Sequence, residues 1–243
     1  MSKLRPDFKV VCFLWHDPLS PTRNIYTYTA DHVQSLKAQV AKHLTIPHEF
    51  VCVTNYADRT LRGIRQVPLD RRTFISGTRY VKLQLFSPEA QETIGRRILY
   101  LDLDTVVTRN INHLAERCED LVLWANPNFG IPRRARFNTS IMLLTAGTRP
   151  DIWDEFVPGV TPQMLSKSWG GTDQAWISHK AKPDQPHWTD RDGIYGAGRL
   201  GDSDPDKCTE LPENACIVFF PGRREPSMAS VQQRHPWIKE HRL

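Results

Sequence analysis

Two carboxylates at the end of an apolar run carry the clearest chemistry in this chain. In Arg96-Arg97-Ile98-Leu99-Tyr100-Leu101-Asp102-Leu103-Asp104-Thr105-Val106-Val107, the residues from Ile98 to Leu101 suit a buried strand, and Asp102 and Asp104 come at its carboxyl end. Open α/β sheets place ligands at that end. On a strand, residues two apart share a face, with Cα atoms roughly 6 to 7 Å apart. Two negative charges that close repel by roughly 2 to 3 kcal/mol at an effective dielectric of about 20. A cation would relieve the repulsion, and paired carboxylate oxygens suit a hard divalent ion, Mn2+ or Mg2+. The competing reading makes both residues part of a strand-end turn, with Asp104 capping the next segment of chain.

The elements around this pair keep an α/β rhythm. Phe8 to Trp15 reads as a first buried strand, Ala30 to His43 as a helix with Val33, Leu36, Val40 and Leu44 on one face, and Glu49 to Thr54 as a second strand. Ile64 to Leu69 suits a shorter third strand. Strand, helix, strand at this spacing predicts a mostly parallel central sheet flanked by helices. No G-x-G-x-x-G or P-loop comes after the first strand, which disfavours the usual dinucleotide folds and Walker-type ATPases. Arg79 to Phe86 suits a helix that packs Val81 and Leu85 inward and projects Lys82 near the carboxyl edge of the sheet. Beyond the aspartates, a short helix over Asn112 to Arg117 and a strand over Leu121 to Trp124 are expected.

Further along, Ala125 to Arg136 is a turn-rich basic loop, Phe137 to Leu144 a strand with a polar start, and Asp151 to Val157 an amphipathic helix. The glycine-rich Ser168 to Gly171 opens another helix, with Thr172 or Asp173 as its N-cap. Lys182 to Asn214 reads as irregular, and Ala215 to Phe220 as a last strand running into Pro221-Gly222-Arg223-Arg224-Glu225-Pro226. A glycine and two arginines at a strand end could present N–H groups and cations to a diphosphate.

Composition narrows the class. A chain of 243 residues with 40% hydrophobic content can fill one large core, and we expect a single domain over residues 1–243. Met1 to Asp7 leads straight into a strand and no apolar run approaches a membrane span, so a cytoplasmic protein without a transmembrane segment is expected. The five cysteines are widely spaced without a C-x-x-C pair, which argues against zinc and disulfide frameworks. The net charge of +5 suits an anionic ligand. The basic residues are dispersed and lack interleaved aromatic platforms, so no nucleic-acid partner is expected.

Taken together, these motifs resemble those of glycosyltransferases of the GT-A fold, most closely family 8 and its bacterial relatives. Five stretches carry the resemblance in order: Tyr28 to Leu36, Tyr80 to Phe86, the D-x-D of Asp102 and Asp104, Phe137 to Leu144 (similar to the family's Phe-Asn-Ser-Gly-Val), and Gly171-Thr172-Asp173-Gln174 (similar to its Gly-Asp-Gln). The resemblance implies a Rossmann-like nucleotide-diphospho-sugar transferase fold. It also implies transfer of a hexose from a nucleotide diphosphate sugar, a UDP-sugar in the first instance, to a carbohydrate or other hydroxyl acceptor, with retention. The cofactor implied is Mn2+ or Mg2+ on Asp102 and Asp104. The donor would meet Tyr28, Lys82, Asp102, Asn138, Gly222 and Arg223, and the chemistry would involve Asp173, Gln174 and Lys82.

One departure stands out. The family ends in a His that binds the metal and a Lys that pairs with phosphate; on the simplest alignment Pro221 and Glu225 occupy those places. Either Asp102, Asp104, the diphosphate and water hold the cation, with Arg223 or Arg224 standing in for the lysine, or cation affinity is reduced. That departure also motivates a nucleotide-sugar-binding protein with weak or no turnover. A haloacid-dehalogenase-type phosphatase is the rival enzyme class. Its D-x-D-x-T fits Asp102 as nucleophile and Asp104 as acid/base, and Gly201 to Asp206 fits its later metal motif. Against it, a strand-helix-strand unit precedes the aspartates, and no apolar strand leads into Gly201.

Overall fold

In the computed structural model, residues 7–16, 28–73, 80–127, 135–161, 165, 172–197, 210–220 and 225–242 are described. Seven strands form the central sheet: β1 (Phe8–Leu14), β2 (Glu49–Thr54), β3 (Arg65–Pro68), β4 (Arg97–Leu101), β6 (Leu121–Ala125), β7 (Phe137–Thr145) and β8 (His187–Trp188), in the order β3-β2-β1-β4-β7-β6-β8. The pairs β3-β2, β2-β1, β1-β4 and β6-β8 are parallel, whereas β7 runs antiparallel to both its neighbours. The sheet is therefore mostly parallel, as the alternation of strands and helices predicts.

Period-two alternation sorts side chains between the faces. Val10, Cys12 and Leu14 of β1, with Leu99 and Leu101 of β4, pack against Val33, Leu36 and Val40 of α1 (Ala30–His43). Short helices α2 (Ala90–Thr93) and α3 (Asn112–Ala115) come before and after the β4 region in the chain. Val11, Phe13, Ile98 and Tyr100 face the opposite way from Val10 and Leu99. They pack among Val81, Leu83 and Leu85, Trp153 of α4 (Pro150–Asp154), and Trp176 of α5 (Asp173–Lys180). Burying each such aliphatic side chain contributes roughly 1.5 to 3 kcal/mol. Because Tyr100 faces the α5 side, a residue two further on, Asp102, leaves the strand toward α5 as well.

Several elements differ from the sequence reading. The segment expected as a helix over Arg79 to Phe86 is a tight 3-10 turn over Val81–Phe86, and Arg79 lies outside the described residues. Gln84 explains the short form: its side chain donates to Pro68 O (2.9 Å) and accepts from Asp70 N (2.7 Å), locking the segment to the end of β3. The stretch from Lys182 to Asn214 is not wholly irregular, because it contributes β8 and β9 (Ile194–Gly196). The last strand, β10 (Ile217–Phe219), joins a second sheet of order β5-β10-β9, where β5 is Thr105–Val107. Gly193, at φ +81°, makes the approach of β9 to β10 possible, since a Cβ there would lie 2.4 Å from Asn214 O. Past β10, α6 (Ala229–Arg234) and α7 (Ile238–His241) close a small core with Val106, Val218, Phe220 and Trp237.

No described helix is long and apolar enough to cross a membrane.

Candidate active site

The aspartate pair sits beyond the strand and not on it. β4 ends at Leu101 and gives way to a turn in which Thr105 N donates to Asp102 O (3.2 Å), so the same-face strand geometry expected for the pair does not apply. Each end of this turn is pinned by a neighbouring strand. Asp102 N donates to Ser140 O of β7 (2.9 Å), and Phe220 N, just past β10, donates to Asp104 O (3.1 Å). The turn reading of these residues is correct for the backbone, and the side chains still converge electrostatically.

Lys82 is the centre of that convergence. Its Nζ lies 3.0 Å from both Asp102 Oδ1 and Oδ2 and 3.4 Å from Asp173 Oδ2, and it donates to Thr139 O at 3.3 Å. Burial alone would lower the ammonium, but Asp102 and Asp173, with Asp104 behind them, raise it above its ordinary value. Lys82 is thus a charged bridge and not a solvated surface lysine. Tyr100 donates its hydroxyl to Asp102 Oδ1 and places its ring 5.2 Å from Lys82 Nζ. Burial, then Asp102, pushes the phenol well above its usual range, so it remains a donor.

Asp173 opens α5. Thr172 is the N-cap, its hydroxyl accepting from Ala175 N (3.3 Å), and this frees the Asp173 carboxylate from the capping role that the sequence left open. Asp173 is 4% exposed, and its Oδ2 accepts from Thr139 Oγ1 at 2.9 Å. Gln174 beside it is half-buried. Asn138, expected at the sugar, turns its Oδ1 to its own strand, accepting from Ser140 N (2.7 Å).

Asp104 tests whether a cation fits. Its Oδ1 is buried without a hydrogen-bond partner, and burial, then the Asp102 charge, pushes the carboxyl well above the usual carboxylate range. An orphaned carboxylate oxygen beside a second carboxylate is the donor set a hard divalent ion satisfies. Among the described residues no third His, Cys, Asp or Glu joins the pair.

A second cluster borders the first. Glu225 accepts from Ser227 N (3.0 Å) and from Arg242 (3.0 Å), and its Oε1 lies 3.5 Å from His32 Nε2. His32 closes the capping box of α1 with Thr29, and Tyr28 sits edge-on to it, centroids 5.3 Å apart. Tyr28 borders the second cluster through His32. Burial alone would raise Glu225, but the bonds from His32, Ser227 and Arg242 hold it below its ordinary range, and its charge is felt at Asp104. Gly222 and Arg223 lie outside the described residues.

Of the residues singled out in the sequence, the structure brings Lys82, Asp102 and Asp173 into contact, with Asp104 close enough to act on their charges. Sequence reasoning missed Tyr100, Thr139, His32 and Arg242 as partners. Tyr100 was accessible from its two-residue spacing to Asp102, whereas no local signal marks Arg242.

Neither a protein-family model nor a curated protein sequence matches this chain. Solved structures do match its fold. The galactosyltransferase LgtC, solved with donor and acceptor sugar analogues, is 12% identical with a TM-score of 0.56 over 97% of this chain and 96% of that one. The glycosyltransferase GlyE of Streptococcus pneumoniae TIGR4 gives 12% and 0.60 over 90% of this chain and 56% of its own. WbbM, a bifunctional glycosyltransferase, gives 12% and 0.59 over 96% and 50%. The chain thus spans about half the length of the last two. The fold is the GT-A fold of these glycosyltransferase structures.

Proposed function

We propose that this chain is a glycosyltransferase that moves a hexose from a nucleotide diphosphate sugar, a UDP-sugar in the first instance, to a hydroxyl acceptor, with retention. The observation that carries the reading is Lys82, held between Asp102 and Asp173 beside the orphaned Asp104 oxygen, on a fold shared with LgtC. Transfer breaks the bond from the anomeric carbon to the diphosphate, which leaves with the electron pair, while the acceptor oxygen bonds to that carbon and gives up its proton. Charge grows on the leaving diphosphate and must be met by fixed positive groups. Lys82 supplies one at a position its two carboxylate partners define. Asp102 and Asp104 would hold Mn2+ or Mg2+, which when bound neutralises the diphosphate as a Lewis acid. Asp173 places a buried negative charge for the oxocarbenium-like face of the sugar, with Gln174 next to it. Tyr28 and Asn138 would contribute to donor binding, as the family resemblance implies.

The test is a panel of nucleotide sugars with Mn2+, monitoring release of nucleotide diphosphate. Release from one UDP-sugar, abolished in Asp102→Asn, is the expected result. Hydrolysis of a phosphate ester with no release from any nucleotide sugar would turn the reading to the phosphatase.

One observation favours a second reading, a binding protein without turnover. On the simplest alignment Glu225 takes the place of the family's phosphate lysine, and in the structure it is paired inside the protein with Arg242. Thermal stabilisation by a nucleotide sugar without release, acceptors supplied, would select it.

A further inference from the structure

Strand β7 pairs with β6 in two registers: Leu123 faces Met142, but Trp124 faces Asn138, so Thr139, Ser140 and Ile141 bulge out of the β6 ladder. A bulge re-aims the side chains and carbonyls it carries. Within it, Thr139 turns two groups toward the site, its O to Lys82 Nζ (3.3 Å) and its Oγ1 to Asp173 Oδ2 (2.9 Å), while Ser140 O continues the β4 register to Asp102 N (2.9 Å). Thr139 is 1% exposed, so none of its bonds exchanges freely with water. A single residue therefore grips both ends of the Lys82–Asp173 ion pair, the cation through its carbonyl and the anion through its hydroxyl.

We propose that Thr139 is a positioning residue of the transfer reaction, fixing the Asp173 carboxylate with its hydroxyl and Lys82 with its carbonyl so that both keep the separation a bound donor requires. The inference rests on the glycosyl-transfer reading. Lys82 and Asp173 lie 91 residues apart in sequence, on a 3-10 turn and on a helix that packs against β7, and Thr139 of β7 bonds to both. The hydroxyl is what distinguishes this role from packing. Thr139→Val keeps the shape and removes only the donor, leaving a buried carboxylate oxygen held by the ammonium alone, whereas Thr139→Ser keeps the donor and loses a methyl group.

The experiment compares wild type, Thr139→Val and Thr139→Ser in donor turnover and in crystal structures. Thr139→Val is expected to lower kcat by up to about 100-fold, the scale of a misplacement near 1 Å, with the donor KM little changed. Thr139→Ser restores most of the rate, and in an Asp173→Ala background Thr139→Val has no further effect on kcat. The Thr139→Val structure shows the Asp173 carboxylate displaced from Lys82. Wild-type kcat in Thr139→Val, a serine variant as slow as the valine one, or an unmoved carboxylate overturns the inference. Should Thr139→Val not fold, Thr139→Ala replaces it with the same expectations. Wild-type protein inert toward every nucleotide sugar defeats the reading of function, and the position of Asp173 in the two structures then decides the role of Thr139 alone.

Discussion

The two halves of the site are held by opposite charge arrangements. Around β4 a cation, Lys82, sits between two carboxylates; around the C-terminal segment an anion, Glu225, sits between the Arg242 guanidinium and the His32 imidazole. The first half carries the charges that the glycosyltransferase resemblance implies, and the second reverses one of them. Both are buried ionic clusters, yet only the first leaves a carboxylate oxygen without a partner, at Asp104. Glu225 is saturated by its own protein, whereas Asp104 is not. The Glu225 carboxylate is held by its own protein, while the turn between β4 and β5 keeps a buried carboxylate oxygen that no described residue satisfies.

Removing the cation from the first half should have the largest effect. Lys82→Met leaves Asp102 and Asp173 facing each other without a counter-charge, and breaking a buried pair in this way costs roughly 3 to 5 kcal/mol. Chemical denaturation should show a loss on that scale together with loss of donor turnover. A variant of wild-type stability would break the contrast, since Lys82 would then be a peripheral charge.

In the second half, Glu225→Ala removes the acceptor for Arg242 and Ser227 and should destabilise by roughly 1 to 3 kcal/mol. Amide exchange should quicken in α6 and α7 more than in the central sheet. If the sheet exchanges equally fast, Glu225 is not a local clamp.

Acid sharpens the same comparison. Glu225 is held below its ordinary value of 4.5 in the folded chain, so its stabilising contribution is fully present above that value and is lost as the pH falls through the lower folded value. Stability of Glu225→Gln should therefore fall less steeply than wild type below about pH 4.5. Parallel acid limbs would contradict the assignment.

The smallest effect belongs to Tyr100→Phe. Losing one hydroxyl bond to the charged Asp102 should cost roughly 1 to 2 kcal/mol and weaken cation binding without abolishing it. Unchanged cation affinity would show that Asp102 needs no such brace.

How much of this was legible in the sequence depended on distance along the chain. Asp102 and Asp104 announced themselves because the apolar run before them fixes a strand end locally, and the turn that carries them was the competing reading of the same residues. Thr172 and Asp173 were correctly placed at a helix start, but which of them capped it depended on Thr139, 34 residues away, claiming the aspartate. Lys82 was placed at the sheet edge without its partners, since Asp173 is brought to it by the tertiary packing of α5 on β7 and on the 3-10 turn. β8 and β9 were hidden because strands of two and three residues are too short to show alternation. The departure at Glu225 was visible in the sequence; that Arg242 and His32 meet its carboxylate could come only from the fold.

On the proposed function, the β4–β5 turn with Lys82 would be a site for a cation and a diphosphate. Calorimetric titration of UDP into the protein with and without Mn2+, repeated on Asp104→Asn, tests it most directly. Binding is expected to need Mn2+ and to be lost in Asp104→Asn while the variant remains folded. Equal UDP affinity with and without Mn2+, or in the variant, would contradict it.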